Sequence, residues 1–265
     1  MELAPGIITE KFDLEGQPAD RASVLVSKRP LRRQFKERVL FLHGQFTDAE
    51  LAHFMLDQCG FVDMFDVVVP EGLHESEVLP TEYHALIGVD KLVKHGFYAP
   101  DRSYKKWGAG YDLLCQEFEG QDIDLKPGQR DWDASIQYLC HIVAQHGPFD
   151  GVIGFCEGAA VLHSMLHLQQ EGHDVGLGSV KFFVAMAPWM SPRAPGKTLH
   201  VPTLLCGGFK DLPIFHHHYQ SFKSHMKGPV VEYQHAGAHV YPEITTELTK
   251  KLKELLLASC CCFIQ

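Results

Sequence analysis

The chain has 265 residues, of which 45% are hydrophobic and 22% charged, the composition of a globular protein with room for a sizeable core rather than a disordered or fibrous one. A formal net charge of −9 works against a nucleic-acid partner, because phosphate binding draws on clustered Lys and Arg. No stretch is apolar enough to cross a bilayer, and Met1 to Asp20 lacks the basic start and apolar run of a secretory signal, so synthesis in the cytosol is expected.

In chain order, residues 1–37 read as a lead-in, and a short basic run (Lys28, Arg29, Arg32, Arg33, Lys36 and Arg38), expected to be solvated, leads into the first strand. From residue 38 to 259, short aliphatic runs alternate with helical patterns, which predicts a single α/β domain with a mostly parallel sheet and helices on both faces. The strand candidates are Val39 to Leu42, Val67 to Val69, Gly151 to Phe155, Phe182 to Ala187, Thr203 to Cys206 and Val230 to Tyr233. Thr47, Asp48, Ala49 and Glu50 fit a capping box with Thr47 as the cap, and Gly60 would close the helix that follows. Ile136, Leu139, Cys140 and Val143 share a helical face before Gly147, and a last helix is expected from Pro242 or Glu243 onward. Between Pro70 and Arg130 the rhythm breaks around many Gly and Pro residues, which predicts a lid or cap insert over residues 71–130. Its aromatics (Tyr83, Phe97, Tyr98, Tyr104, Trp107 and Tyr111) would either line a substrate pocket or pack the insert.

The most specific signal is Gly154, Phe155, Cys156, Glu157 and Gly158, set between the strand Val152-Ile153 and an apolar helix. That is the G-x-Nuc-x-G elbow, whose glycines permit a strained turn that lifts the nucleophile above the sheet at a helix N-terminus, where N–H dipoles favour a thiolate. A carboxylate at Glu157 would oppose the thiolate if it turned inward. An acid and a histidine should follow in that order. Asp211 stands after the strand Thr203 to Cys206 and its Gly207-Gly208 turn, and His239 lies in a loop between the last strand and the last helix. Oxyanion donors are expected from the backbone N–H of Gln45 or Phe46, after His43-Gly44, paired with that of Glu157. His43 itself is read as bracing that loop.

Val39 to Gly44, the block Gly147 to Ala160, and the Asp211 and His239 loops resemble the family of serine hydrolases (FSH) over roughly residues 36 to 257. The resemblance implies an α/β-hydrolase fold and esterase-like activity on a small-molecule acyl substrate, with Cys156 at the nucleophile position, Asp211 at the acid and His239 at the base. The chain departs from the family in carrying Cys156 where the family has serine and Glu157 where glutamine is common; a cysteine elbow in this fold looks like that of dienelactone hydrolases. The expected reaction is hydrolysis of an ester, thioester or lactone through a Cys-His-Asp triad. The alternatives are a non-catalytic module that binds a ligand or partner in the same pocket, and an acyltransferase.

His216, His217 and His218 do not make a metal site, since consecutive residues rarely converge on one ion; a solvated helix start is expected, with neither metal nor cofactor. The eight cysteines show no paired metal spacing and are expected to be reduced. In the Cys-rich tail, residues 260–265, Cys262, Phe263, Ile264 and Gln265 fit a C-a-a-X prenylation signal. Cys260 and Cys261 would be palmitoylation sites giving the second anchor that peripheral membrane association needs.

Overall fold

The computed structural model describes residues 7–12, 22–27, 36–76, 102–108, 126–190 and 197–261, the side chains of 7–12, 22–27, 126–130 and 260–261 excepted. The six anticipated strands form. They are β3 (Arg38–Leu42), β4 (Asp66–Pro70), β7 (Gly151–Phe155), β8 (Phe182–Met186), β9 (Thr203–Gly208) and β10 (Val230–His235). Along them side chains alternate between two apolar clusters: Leu40, Leu42, Val152, Phe183 and Ala185 point to one, Val39, Phe41, Ile153, Phe182, Val184 and Met186 to the other. Period-two alternation with both faces buried is the mark of a sheet covered on each side.

The segment read as a lead-in contributes two strands, β1 (Ile7–Phe12) and β2 (Ala22–Ser27). The sheet has eight strands in the order β1-β2-β4-β3-β7-β8-β9-β10. Within it, among the described residues, only β1 with β2 and β2 with β4 pair antiparallel. The runs Ile7-Ile8 and Val24-Leu25-Val26 carry strand propensity, but the charged residues between and after them give the region the pattern of a solvated approach. A small sheet pairs β5 (His74–Ser76) with β6 (Tyr104–Lys106).

The first face is covered by α3 (Lys126–His146), α4 (Glu157–Gln170) and α5 (Pro213–His225), the second by α1 (Ala49–Gln58), α2 (Phe61–Met64) and α6 (Thr246–Cys261). Ile136, Leu139 and Val143 turn inward on α3 as their spacing predicts. The cap of α1 is Asp48 rather than Thr47: the carboxylate accepts from Leu51 N–H at 2.7 Å, whereas Thr47 donates to Gly44 O at 2.6 Å. A carboxylate at a helix N-terminus gains from the dipole as well as the hydrogen bond, which explains the one-residue shift. Gly60 follows α1 in the left-handed region at φ 86°. The last helix begins at Thr246, after the Pro242 and Glu243 expected.

Most of the expected insert, with Tyr83, Phe97, Tyr98 and Tyr111, lies outside the described residues, as does Cys262; Cys260 and Cys261 fall in the last turn of α6. Tyr104 and Trp107 are fully buried and pack rather than face solvent. Among the described residues no helix is long and apolar enough to cross a membrane.

Candidate active site

Cys156 caps α4 at the C-terminal end of β7, with φ 51° and ψ −115°. A non-glycine residue in that region is strained by about 1–3 kcal/mol and persists only where its surroundings enforce it. Its N–H donates to Met186 O at 2.9 Å and its carbonyl accepts from Ala159 N–H at 3.1 Å, which locks the turn between β8 and α4. The flanking glycines are needed for close approach: a Cβ at Gly154 would collide with the backbone of Ala159, and one at Gly158 with the carbonyl oxygens of Leu42 and His43. Helix α4 therefore sits directly on β3 and β7.

Asp211 and His239 come from the ends of the next strands. Phe209 N–H bonds to His235 O at 2.9 Å and Lys210 N–H to Gly237 O at 3.0 Å, so the β9 and β10 loops stay strapped together beyond the sheet. Gly208 has no room for a Cβ against the carbonyls of Gly237 and Ala238. In this frame His239 Nδ1–H donates to Asp211 Oδ2 at 2.9 Å, and Leu212 N–H donates to the other carboxylate oxygen, also at 2.9 Å. Both side chains are about 95% buried, with relative exposures of 4% and 5%. That bond leaves Nε2 as the ring nitrogen not held by the carboxylate. Nε2 closes no hydrogen bond, although Cys156 is near enough to couple to the ring electrostatically. Burial lowers the imidazole pKa, but the thiolate charge of Cys156 and the bond to Asp211 outweigh it and hold His239 above its ordinary value.

The loop after β3 lies beside the elbow. A Cβ on Gly44 would press on Phe155 and on the Cys156 Cβ, and Phe46 turns through φ 63°. His43 braces this loop: Gly72 N–H donates to Nε2 at 3.0 Å, so Nδ1 carries the proton and lies 2.7 Å from Gly44 O. Burial pushes its pKa down to about 4, partly offset by that Gly44 bond and by Asp48, with Lys105 adding to the lowering, so the ring is neutral. Glu157, the first residue of α4, directly follows Cys156 on the other side of the elbow. Its carboxylate turns to the backbone N–H groups of Trp107 and Gly108.

Three contacts escaped the sequence reading. Phe215, in the first turn of α5, stacks on His239 with ring centroids 4.0 Å apart. Trp189 N–H reaches Cys156 O at 3.4 Å. His218, expected in solvent, is 5% exposed and packs edge-on against Trp189; burial, then the charges of His217 and His239, lowers its pKa to about 4. The triplet opens an amphipathic helix, so its third member turns inward. Only the helical phase could have revealed that. Among the described residues no group of three His, Cys, Asp or Glu could hold a metal ion.

The model of the family described as Serine hydrolase (FSH1) matches residues 33–251. The chain belongs to this family. Among solved structures, acyl-protein thioesterase 2 of Zea mays is 18% identical with a TM-score of 0.52, over 90% of this chain and 98% of the thioesterase. A carboxylesterase of Mesorhizobium loti is 14% identical with a TM-score of 0.53, over 89% and 95%. Among curated proteins none matches the chain significantly. At such identities the likeness is one of fold, and the fold of this FSH1 member is the α/β-hydrolase fold.

Proposed function

We propose that this FSH1 protein hydrolyses ester, thioester or lactone bonds of a small acyl substrate, with Cys156 as nucleophile, His239 as base and Asp211 as its orienter. The observation that carries the reading is the 2.9 Å bond from His239 Nδ1 to a buried Asp211, in a ring coupled to a cysteine held at φ 51°. A pocket that only binds a ligand has no use for a buried carboxylate fixing an imidazole tautomer.

In the proposed reaction the Cys156 thiolate attacks the acyl carbon, forming an S–C bond, while the carbonyl oxygen becomes an oxyanion held by the N–H groups of Glu157 and of Gln45 or Phe46. The intermediate collapses, the bond to the leaving group breaks, and His239 Nε2 gives that group its proton. Water then attacks the thioester, His239 takes a proton from it, and the acid leaves with the thiolate restored. When thiolate attacks an alkyl ester, the weakly basic sulfur leaves more readily than the alkoxide, and the intermediate reverts. The preferred substrates are therefore thioesters, aryl esters and enol esters or lactones.

Aryl, thio and alkyl esters of one acyl group test this together with Cys156→Ala. Turnover should be confined to the first two, vanish in the variant, and leave an acyl mass on Cys156. Efficient alkyl-ester hydrolysis, or full activity without Cys156, refutes the proposal.

A further inference from the structure

Glu157 is 1% exposed. A carboxylate that far from water is costly unless donors meet its oxygens. Here both oxygens are met: Oε2 accepts from Trp107 N–H at 2.9 Å and Oε1 from Gly108 N–H at 3.1 Å. Two successive peptide N–H groups thus close on one side chain from 50 residues away in sequence.

The same segment grips the opposite side of the cleft. Lys105 N–H donates to Thr47 O at 2.6 Å, and the Trp107 indole N–H to His43 O at 2.8 Å. Ser135 on α3 holds Trp107 O from behind. Residues 104–108 are therefore bonded both to the loop that carries Gln45 and Phe46 and to the residue that opens α4, the two pieces of backbone whose N–H groups would hold the oxyanion.

We infer that the Glu157 side chain is a positioning residue that sets the oxyanion hole. By clamping Trp107 and Gly108, the carboxylate fixes how far its own N–H stands from those of the loop after β3. The inference rests on the hydrolase reading and assigns the carboxylate no part in activating the thiol. Only a carboxylate accepts at both oxygens; glutamine would set an NH₂ against one of the two N–H groups. The clamp would then be held at one point instead of two, and oxyanion donors act only when aimed within a few tenths of an ångström.

The test is Glu157→Gln in the full chain, read by two reactions of the same thiol. Single-turnover acylation by p-nitrophenyl acetate, followed by intact mass, passes through an oxyanion. Alkylation by iodoacetamide, in which sulfur displaces iodide, does not. Acylation should slow about tenfold or more while alkylation keeps the parental rate. Acylation at the parental rate, or both reactions slowed alike, overturns the inference. Should the variant fail to fold, Glu157→Asp, which keeps both acceptor oxygens but shortens the arm by one methylene, should show the same split, with parental acylation again overturning it. A parent protein that is alkylated but never acylated defeats the hydrolase reading itself, and this inference falls with it.

Discussion

His163, in the middle of α4, has no solvent exposure and no hydrogen-bond partner at either ring nitrogen. Its ring lies against Phe222, with His225 at 6.5 Å. Burial, reinforced by His225 and His167, pushes its pKa down to about 3. The unfolded chain takes up a proton near the ordinary pKa of about 6.5, whereas the folded chain does not, so below that pH acid favours unfolding by about 1.4 kcal/mol per pH unit, or about 2 kcal/mol by pH 5. His163→Leu removes this penalty. It also removes a buried N–H and a buried ring nitrogen, each costing about 1–3 kcal/mol when left unmet, against which stands an imperfect fit of about 1 kcal/mol or more. The variant should be more stable than the parent by about 1 kcal/mol at pH 7.5 and about 3 kcal/mol at pH 5. Urea midpoints at the two pH values, with equal m-values, measure the gap. A gap that does not widen on acidification, or a variant weaker at both pH values, refutes the account of His163 as a buried neutral base.

Two further outcomes concern the site. Asp211→Asn leaves one acceptor for two donors, His239 Nδ1–H and Leu212 N–H, so kcat/KM should fall about 10²-fold or more. Asp211 is also one of the groups that raise His239, so the pH at which the imidazole loses its proton should move down; an unshifted pH profile of deacylation counts against the assigned orienter. Gly158→Ala drives a methyl into the carbonyls of Leu42 and His43, which must lift α4 off β3 and move the elbow; acylation should fall about 10²-fold, and an active, well-folded alanine variant would show that the close approach is dispensable.

The central strands were legible because each is a short apolar run buried on both faces, and the elbow because the glycines that its geometry demands are few and fixed in spacing. The relation of Asp211 to His239 was legible only as chain order; the strap of backbone bonds from Phe209 and Lys210 that brings them within 2.9 Å involves no distinctive residue type. β1 and β2 were missed because charged neighbours masked their runs, and the cap of α1 because Thr47 and Asp48 both suit the role until one is drawn to Gly44. The direction of the Glu157 side chain could not be read at all. Its partners are peptide groups, which every sequence supplies.

Among the described residues β10 ends the order of strands and pairs with β9 alone in the sheet, with α6 packed against it. Edge strands open at lower free energy than the strands between them. His239 lies in the loop that follows this strand, while Cys156 stands just past the end of β7, two strands inward of β9. On the proposed triad, fraying at one margin would part His239 from Cys156 while the interior stayed folded, so heat inactivation would report a local event and storage half-life would follow the edge rather than the core.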